Sequence, residues 1–290
     1  MKCQILLALF ALVVVKTTAK IIDLSHDHGP DTMMSPHVPH FNRSTIFAGD
    51  YLPGVYVEGG QYSSGEHGGT HLDAPVHFKQ GGLRVHEIPL ENTIAQGVMI
   101  DCSGEASRNN SYLVPVQKLL DWESKHGQIP MKAAVIFNFG WSSKFSNPTL
   151  YLGSEIDDQF TYVFPAVGAE AGHWLYDNRA IKIIGSDTLT PDPLNIHGKK
   201  ITAFPIHQKY LPNGRLIIEN LKGTERLPPR GFRFHASPVK YVGSTGTQVR
   251  AYAMTFDEDF SSGTPRPETT LNFFYVLLLT SSGLYLHGLS

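Results

Sequence analysis

The sequence predicts a mixed α/β fold, a single domain with more strand than helix. Short apolar runs bounded by glycine or polar residues recur along the chain, the pattern of buried strands. Only two stretches have helical character, residues 116–125 and 168–176. No linker, repeat or low-complexity block interrupts residues 20–256.

The elements follow in order. Residues 21–25, Ile-Ile-Asp-Leu-Ser, open the domain as a short strand. Residues 55–58 and 97–101 are rich in valine and isoleucine and read as strands. The first helix, residues 116–125, follows Pro115, a residue suited to a helix start. Residues 133–139 are a buried strand that ends at Gly140-Trp141. The alanine-bearing stretch 168–176 gives the second helix, and residues 181–185 another strand. Residues 249–255, with Tyr252 and Met254, are the strand expected to close the sheet.

The two ends differ from this middle. Lys2, an apolar run over residues 5–15 and the small residues Thr17-Thr18-Ala19 form the pattern of a secretory signal peptide. The run is short for a bilayer span. Residues 1–19 are therefore expected as a leader, and the mature chain near Lys20, at the cell surface or secreted. Removal of the leader takes Cys3, which leaves Cys102 alone and excludes an intrachain disulfide. A domain of this length can bury enough apolar surface without one, and Cys102 is expected as a buried thiol. Two sequons, at Asn42 and Asn109, suit a secretory route, whereas Asn147 is excluded by Pro148. Residues 257–290 contain Ser261-Ser262-Gly263, a polar spacer and a largely apolar tail. That order is the pattern of a GPI-attachment signal; the alternative is a C-terminal strand or helix packed on the core. The chain has 24 Lys+Arg against 26 Asp+Glu, which excludes a strongly basic nucleic-acid surface.

The most informative segment is residues 66–78, Glu-His-Gly-Gly-Thr-His-Leu-Asp-Ala-Pro-Val-His-Phe. His67, His71 and Asp73 are donors suited to Zn²⁺, Mn²⁺ or Fe²⁺. The Gly-Gly pair and Pro75 argue against a helix, so His67 and His71 are not the pair of a helical H-E-x-x-H site. On an extended path His71 and Asp73 point to one side, and His67 reaches that side through the glycine turn.

Residues 67–78 resemble the H-x-G-T-H-x-D-x-P-x-H-F signature of the cyclase-type metal-dependent hydrolases, a family that includes bacterial kynurenine formamidase and isatin hydrolase. Smaller likenesses follow in order: residues 22–25 to its opening strand, Phe139-Gly140-Trp141 to its T-G-W, residues 164–168 to its F-P-G-L entry to a helix, and Gly185-Ser186-Asp187-Thr188 to its G-x-D-T turn. The resemblance implies a layered, swivelling-type, cyclase-like architecture. It also implies a histidine followed twelve residues later by a glutamate, and His207 and Glu219, within Glu219-Asn220-Leu221, have that spacing. Spacing alone does not distinguish His207 from His197 or His235.

The implied ligand set is His67, His71 and Asp73 on one metal, with His207 and Glu219 completing a second position, for one or two Zn²⁺ or Mn²⁺ ions. His77 is then the general acid/base, the alternative being a further ligand. The implied reaction is hydrolysis of an amide-like C–N bond in a small aryl formamide or cyclic amide by metal-activated water. The implied assembly is a homodimer. No G-x-S-x-G elbow is present, which argues against a serine-dependent formamidase. Relatives carry a substrate-stacking aromatic near the end of the first loop. Here, in residues 33–41, that aromatic is missing or replaced by His37 or Phe41; His26, His28, His37 and His40 are either residues of the pocket mouth or, as is commoner for loop histidines, simply exposed. A non-catalytic small-molecule-binding protein and a lactone- or polyketide-directed enzyme are the competing functions.

Overall fold

The computed structural model describes residues 13–33, 38–258, 271–280 and 283–288. It divides into two compact units, Ile22–Ala253 and the terminal segments Met1–Ile21 with Met254–Ser290.

The larger unit is organised by a sheet. Strands Ile94–Asp101, Ala134–Asn138, Ile183–Ser186 and Leu216–Glu219 lie side by side, all parallel and in chain order. Phe232–His235 pairs antiparallel along one side. His71–Asp73 pairs antiparallel along the other, followed by Gly246–Gln248. Successive residues of the inner strands enter different cores. Val135, Phe137, Ile184 and Ile217 join one apolar cluster, and Ala134, Ile136, Ile183 and Ile218 join the other. Parallel strands covered on both faces read as unbroken apolar runs, which is why residues 133–139 and 181–185 are visible in the sequence.

Helices provide the crossovers between the parallel strands. Val116–His126, Ala169–Arg179 and Pro205–Tyr210 place Leu119, Trp122, Leu175, Ile206 and Tyr210 in the cluster that holds Phe137. The first begins after Pro115 and ends at Gly127, whose φ of 81° is accessible to glycine without strain. Trp122 Nε1 donates to the Met99 carbonyl at 2.9 Å, which ties that helix to the sheet. The opposite face is covered by extended segments and short 3₁₀ turns contributing Leu24, Leu72, Val85, Leu221 and Leu227.

Three differences from the sequence reading concern strands. The opening strand runs Val13–Asp23, where residues 21–25 were expected. The closing strand runs Tyr252–Glu258, beginning three residues later than expected. The strand at residues 55–58 is one arm of a long hairpin, Asn42–Leu52 with Val55–Ser63. Its partner escapes detection because nearly every residue on both faces is exposed, so no alternation of burial marks it. Cys102 is buried and free, as expected.

In the terminal unit, residues 13–19 pair antiparallel with residues 271–277, and residues 275–280 with residues 283–288. Residues 1–12 of the expected leader, and residues 259–270, 281–282 and 289–290 of the expected spacer and tail, lie outside the described residues.

Candidate metal centre

Sheet register assembles the site. The strand His71–Asp73 lies between Leu216–Glu219 and Gly246–Gln248, and its antiparallel register sets Glu219 opposite His71. Alternation puts His71 and Asp73 on one face while Leu72 enters the core behind them. His67 arrives through Gly69, whose φ is 60° and where a Cβ would meet His28 Nδ1 at 2.8 Å. His207 comes from the first turns of the Pro205–Tyr210 helix. His71, Asp73, His207 and Glu219 are buried, and His67 is half-buried.

Asp73 stands at the centre. Its Oδ1 lies 2.7 Å from His67 Nδ1 and 3.4 Å from His71 Nε2, and its Oδ2 lies 3.2 Å from His207 Nε2. Glu219 faces the same nitrogens, with Oε2 3.3 Å from His71 Nε2 and Oε1 3.4 Å from His207 Nε2. Two donor groups therefore converge, His67–His71–Asp73 and Asp73–His207–Glu219, with Asp73 in both.

The outer nitrogens of the histidines are all engaged. His71 Nδ1 faces the Gly69 carbonyl at 2.9 Å, which can only accept a proton. His207 Nδ1 faces Asp192 Oδ2 at 2.6 Å. The Thr245 hydroxyl donates to Glu66 Oε2 at 2.6 Å, so it accepts from His67 Nε2 at 2.9 Å. Each neutral ring thus carries its proton outward and turns a lone pair inward, the tautomer that a cation requires. His71 Nε2 and Glu219 Oε1 are buried without a hydrogen-bond partner. Buried atoms of this kind are costly unless something satisfies them. The nitrogen and carboxylate donors, with no thiolate among them, fit a divalent transition metal.

In the metal-free protein protons take the cation's part. Burial alone would lower the His71 pKa, but the carboxylates of Asp73 and Glu219, 3.4 and 3.3 Å from Nε2, outweigh it and push the group up to about 10. His207 is raised for the same reason, against burial, by Asp192, Asp73 and Glu219. Two consequences are measurable. Loading divalent ions into both donor groups at neutral pH is expected to release about two protons, one from His71 and one from His207, read as the buffer dependence of the binding enthalpy. The stability that protonated His71 gives the metal-free fold is complete below its ordinary pKa of 6.5 and lost as pH rises through about 10. The midpoint of thermal unfolding should therefore fall over that range without metal, and less steeply with it.

His77 belongs to neither donor group. It ends the Pro75–His77 turn and stacks on His67, with ring centroids 4.0 Å apart. Part of its ring meets solvent, yet lost hydration on the packed side is the largest influence on it. Repulsion from His67 and His207 adds to that effect, Asp73 opposes it, and the pKa comes down to about 4. The imidazole is thus neutral at physiological pH and free to accept a proton.

The structure adds residues that spacing could not reveal. Asp192 is fully buried and accepts from the backbone N–H of Ile206 and His207 as well as from the His207 ring. Asn220 joins the two halves of the site. Its Nδ2 donates to the Gly69 carbonyl at 3.0 Å, its Oδ1 accepts from Tyr151 Oη at 2.7 Å, and its carbonyl accepts from Thr70 Oγ1 at 2.6 Å. Glu66 acts on His67 through Thr245. In the sequence Glu66 stands at the head of the 66–78 segment and Asn220 within the Glu219-Asn220-Leu221 match, but neither carries a role there, and nothing marks Asp192 or Thr245.

Two of the smaller motif likenesses prove to be one structural lock. The buried Asp187 carboxylate accepts from the backbone N–H of Phe139, Trp141 and Ser142 at 2.9, 2.7 and 3.4 Å. Burial raises its pKa to about 6 in spite of those bonds. Asp187→Ala strands three donors and is expected to cost about 3 kcal/mol or more of stability, read by denaturant unfolding. Of the first-loop histidines, His26 stacks on Phe145 at 3.7 Å, His28 Nε2 meets Ser64 Oγ at 2.9 Å, and His40 is exposed. His37 lies outside the described residues.

The fold and donor set define a class, and comparison with known proteins agrees. The family described as "Putative cyclase" matches residues 22–193. This chain belongs to that family. Isatin hydrolase of Roseibium aggregatum is 24% identical over 246 residues, covering 81% of this chain and 91% of its own. Kynurenine formamidase of Salinibacter ruber is 26% identical over 185 residues, 64% of this chain and 74% of its own. Among solved structures, isatin hydrolase A of Ralstonia solanacearum superposes with a TM-score of 0.73 at 30% identity, over 82% of this chain and 92% of that one.

Proposed function

We propose that this chain is a metal-dependent hydrolase that cleaves the amide-like C–N bond of a small aryl formamide or cyclic amide. The observation that carries this reading is the convergence of three inward-facing imidazole nitrogens on two carboxylates, beside a neutral histidine that is in neither donor group. His67, His71 and Asp73 would hold one ion, and Asp73, His207 and Glu219 a second. A divalent cation there supplies a Lewis acid for a carbonyl oxygen and lowers the pKa of water toward neutrality. The purely nitrogen and oxygen donors suit Zn²⁺ or Mn²⁺.

His77 moves the proton. Neutral at rest, it accepts a proton from water as the water oxygen bonds to the carbonyl carbon. It returns that proton to the nitrogen as the C–N bond breaks, giving an amine and a carboxylic acid. Asp192, Asn220 and the Glu66–Thr245 pair hold the imidazoles in the required tautomers. Metal analysis of the purified protein, followed by turnover of formanilide, isatin and a lactone, tests the reading. Metal content with no turnover on any of them would count against catalysis and for a binding protein; turnover of the lactone alone would replace the amide assignment.

We also propose a secreted or surface location, with residues 1–19 removed and the tail exchanged for a lipid anchor. The sequence patterns support this, and both sequon asparagines, Asn42 and Asn109, are exposed. Release of the native protein by a phosphatidylinositol-specific phospholipase tests the anchor, and tail peptides in the mature protein would exclude it. A homodimer is supported by the hairpin, which exposes Ile46, Tyr51, Tyr56 and Tyr62. A two-stranded ribbon is marginal in isolation, and exposed apolar patches mark interfaces. Light scattering on the intact protein reads the assembly, and a monomer at working concentration would exclude it.

A further inference from the structure

The site has an aromatic side as well as a polar one. Phe78 lies edge-on to His77, with centroids 5.0 Å apart, and 4.6 Å from the ring of His207. Phe204 immediately precedes the helix that carries His207; its ring is 5.7 Å from Phe78 and 6.0 Å from His207. Both phenyl rings pack on the helix-side core and are only partly buried. They come from sequence-distant elements, yet both meet at the ring of His207, with Phe78 also against the exposed His77.

The backbone at Phe204 is unusual. Its φ of 44° and ψ of 56° are left-handed, a conformation that glycine adopts freely and a phenylalanine does not. Phe204 makes no side-chain cap to the helix that follows. The turn of the chain into this helix would thus be served better by glycine, and an outlier of this kind beside a reactive site points to a use for the side chain. The first-loop aromatic expected to stack on substrate is engaged elsewhere, since Phe41 packs against His28 at 5.1 Å and Tyr62 at 5.7 Å.

We propose that Phe78 and Phe204 form the wall that binds the aromatic ring carried on the leaving nitrogen, and so select N-aryl over N-alkyl amides. The inference rests on the hydrolase reading above. A leaving nitrogen that receives its proton from His77 must come within hydrogen-bond reach of that ring. The group attached to the nitrogen then lies within the 4.5–7 Å centroid range of aromatic pairing to rings that adjoin His77 and His207. A flat aryl group gains the edge-to-face or offset contacts that a puckered ring of equal size cannot make.

Formanilide and N-cyclohexylformamide separate the two cases, with the same bond broken and rings of similar size. In the metal-loaded protein, Phe204→Gly removes the ring while relieving the left-handed backbone. The aryl-to-alkyl ratio of kcat/KM is expected to fall about fivefold, with the unfolding midpoint not lowered. Phe78→Leu, which keeps an apolar side chain against the core, is expected to shift the same ratio in the same direction. A ratio unchanged within experimental error in both variants, or an equal loss for both substrates, overturns the wall. If the wild type hydrolyses neither formamide and does not turn over isatin, the hydrolase reading fails by itself. Calorimetric binding of the two intact amides then decides the wall: an aryl preference lost in Phe204→Gly supports it, and equal binding of both amides to the wild type overturns it.

Discussion

Asp73→Ala is expected to empty both donor groups and to reduce hydrolysis by on the order of a thousandfold or more. Asp73 sits among three partners with both oxygens in use, Oδ1 toward His67 and His71 and Oδ2 toward His207. Every other donor serves a single group, so His67→Ala would leave Asp73, His207 and Glu219 in place. The same change exposes a structural debt in the metal-free form. His71 and His207 are held protonated there by Asp73 and Glu219. Removing one carboxylate leaves buried cations short of a partner, at a cost of about 3–5 kcal/mol. Elemental analysis, turnover and metal-free thermal unfolding read the three effects. A full metal complement in Asp73→Ala would refute the shared-ligand arrangement.

His77→Gln is expected to lower kcat by about 10²–10⁴ while metal content stays at the wild-type level. Glutamine keeps a polar side chain beside His67 but cannot accept and return a proton near neutral pH. The split between kcat and metal content is the informative part. A further ligand would lose metal on substitution, whereas a proton carrier loses only rate. Because lost hydration on its packed side and repulsion from His67 and His207 bring His77 down to about 4, its neutral form predominates across the physiological range. Unchanged turnover in His77→Gln would sink the assignment.

The parts legible in the sequence were those in which one local pattern determines one structure. The runs at residues 133–139 and 181–185 are buried on both faces, so composition alone marks them as strands. His67, His71 and Asp73 fall within seven residues, and glycine with strand alternation suffices to bring them together. His207 was different. Its spacing to Glu219 was selected by family resemblance, whereas its position depends on a short helix and a parallel register that no local signal encodes. Asp192 was invisible because a carboxylate in a Pro-Asp-Pro loop reads as a solvated turn. Phe204 was overlooked because its information lies in a backbone angle, and the hairpin strand 42–52 because its exposure removes the alternation on which strand detection relies.

The shared carboxylate also makes the two donor groups one linked equilibrium. An ion held by His67, His71 and Asp73 would share the Asp73 carboxylate with an ion held by Asp73, His207 and Glu219, and would place positive charge beside it. It would also hold the carboxylate in the orientation that the second ion would otherwise have to impose. The first effect weakens the second binding event and the other strengthens it, and whichever wins must act equally in both directions. Occupancy of either group is therefore not a property of that group alone. A titration of this protein should depart from two independent sites, and the sign of the departure will tell whether charge or preorganisation governs the centre.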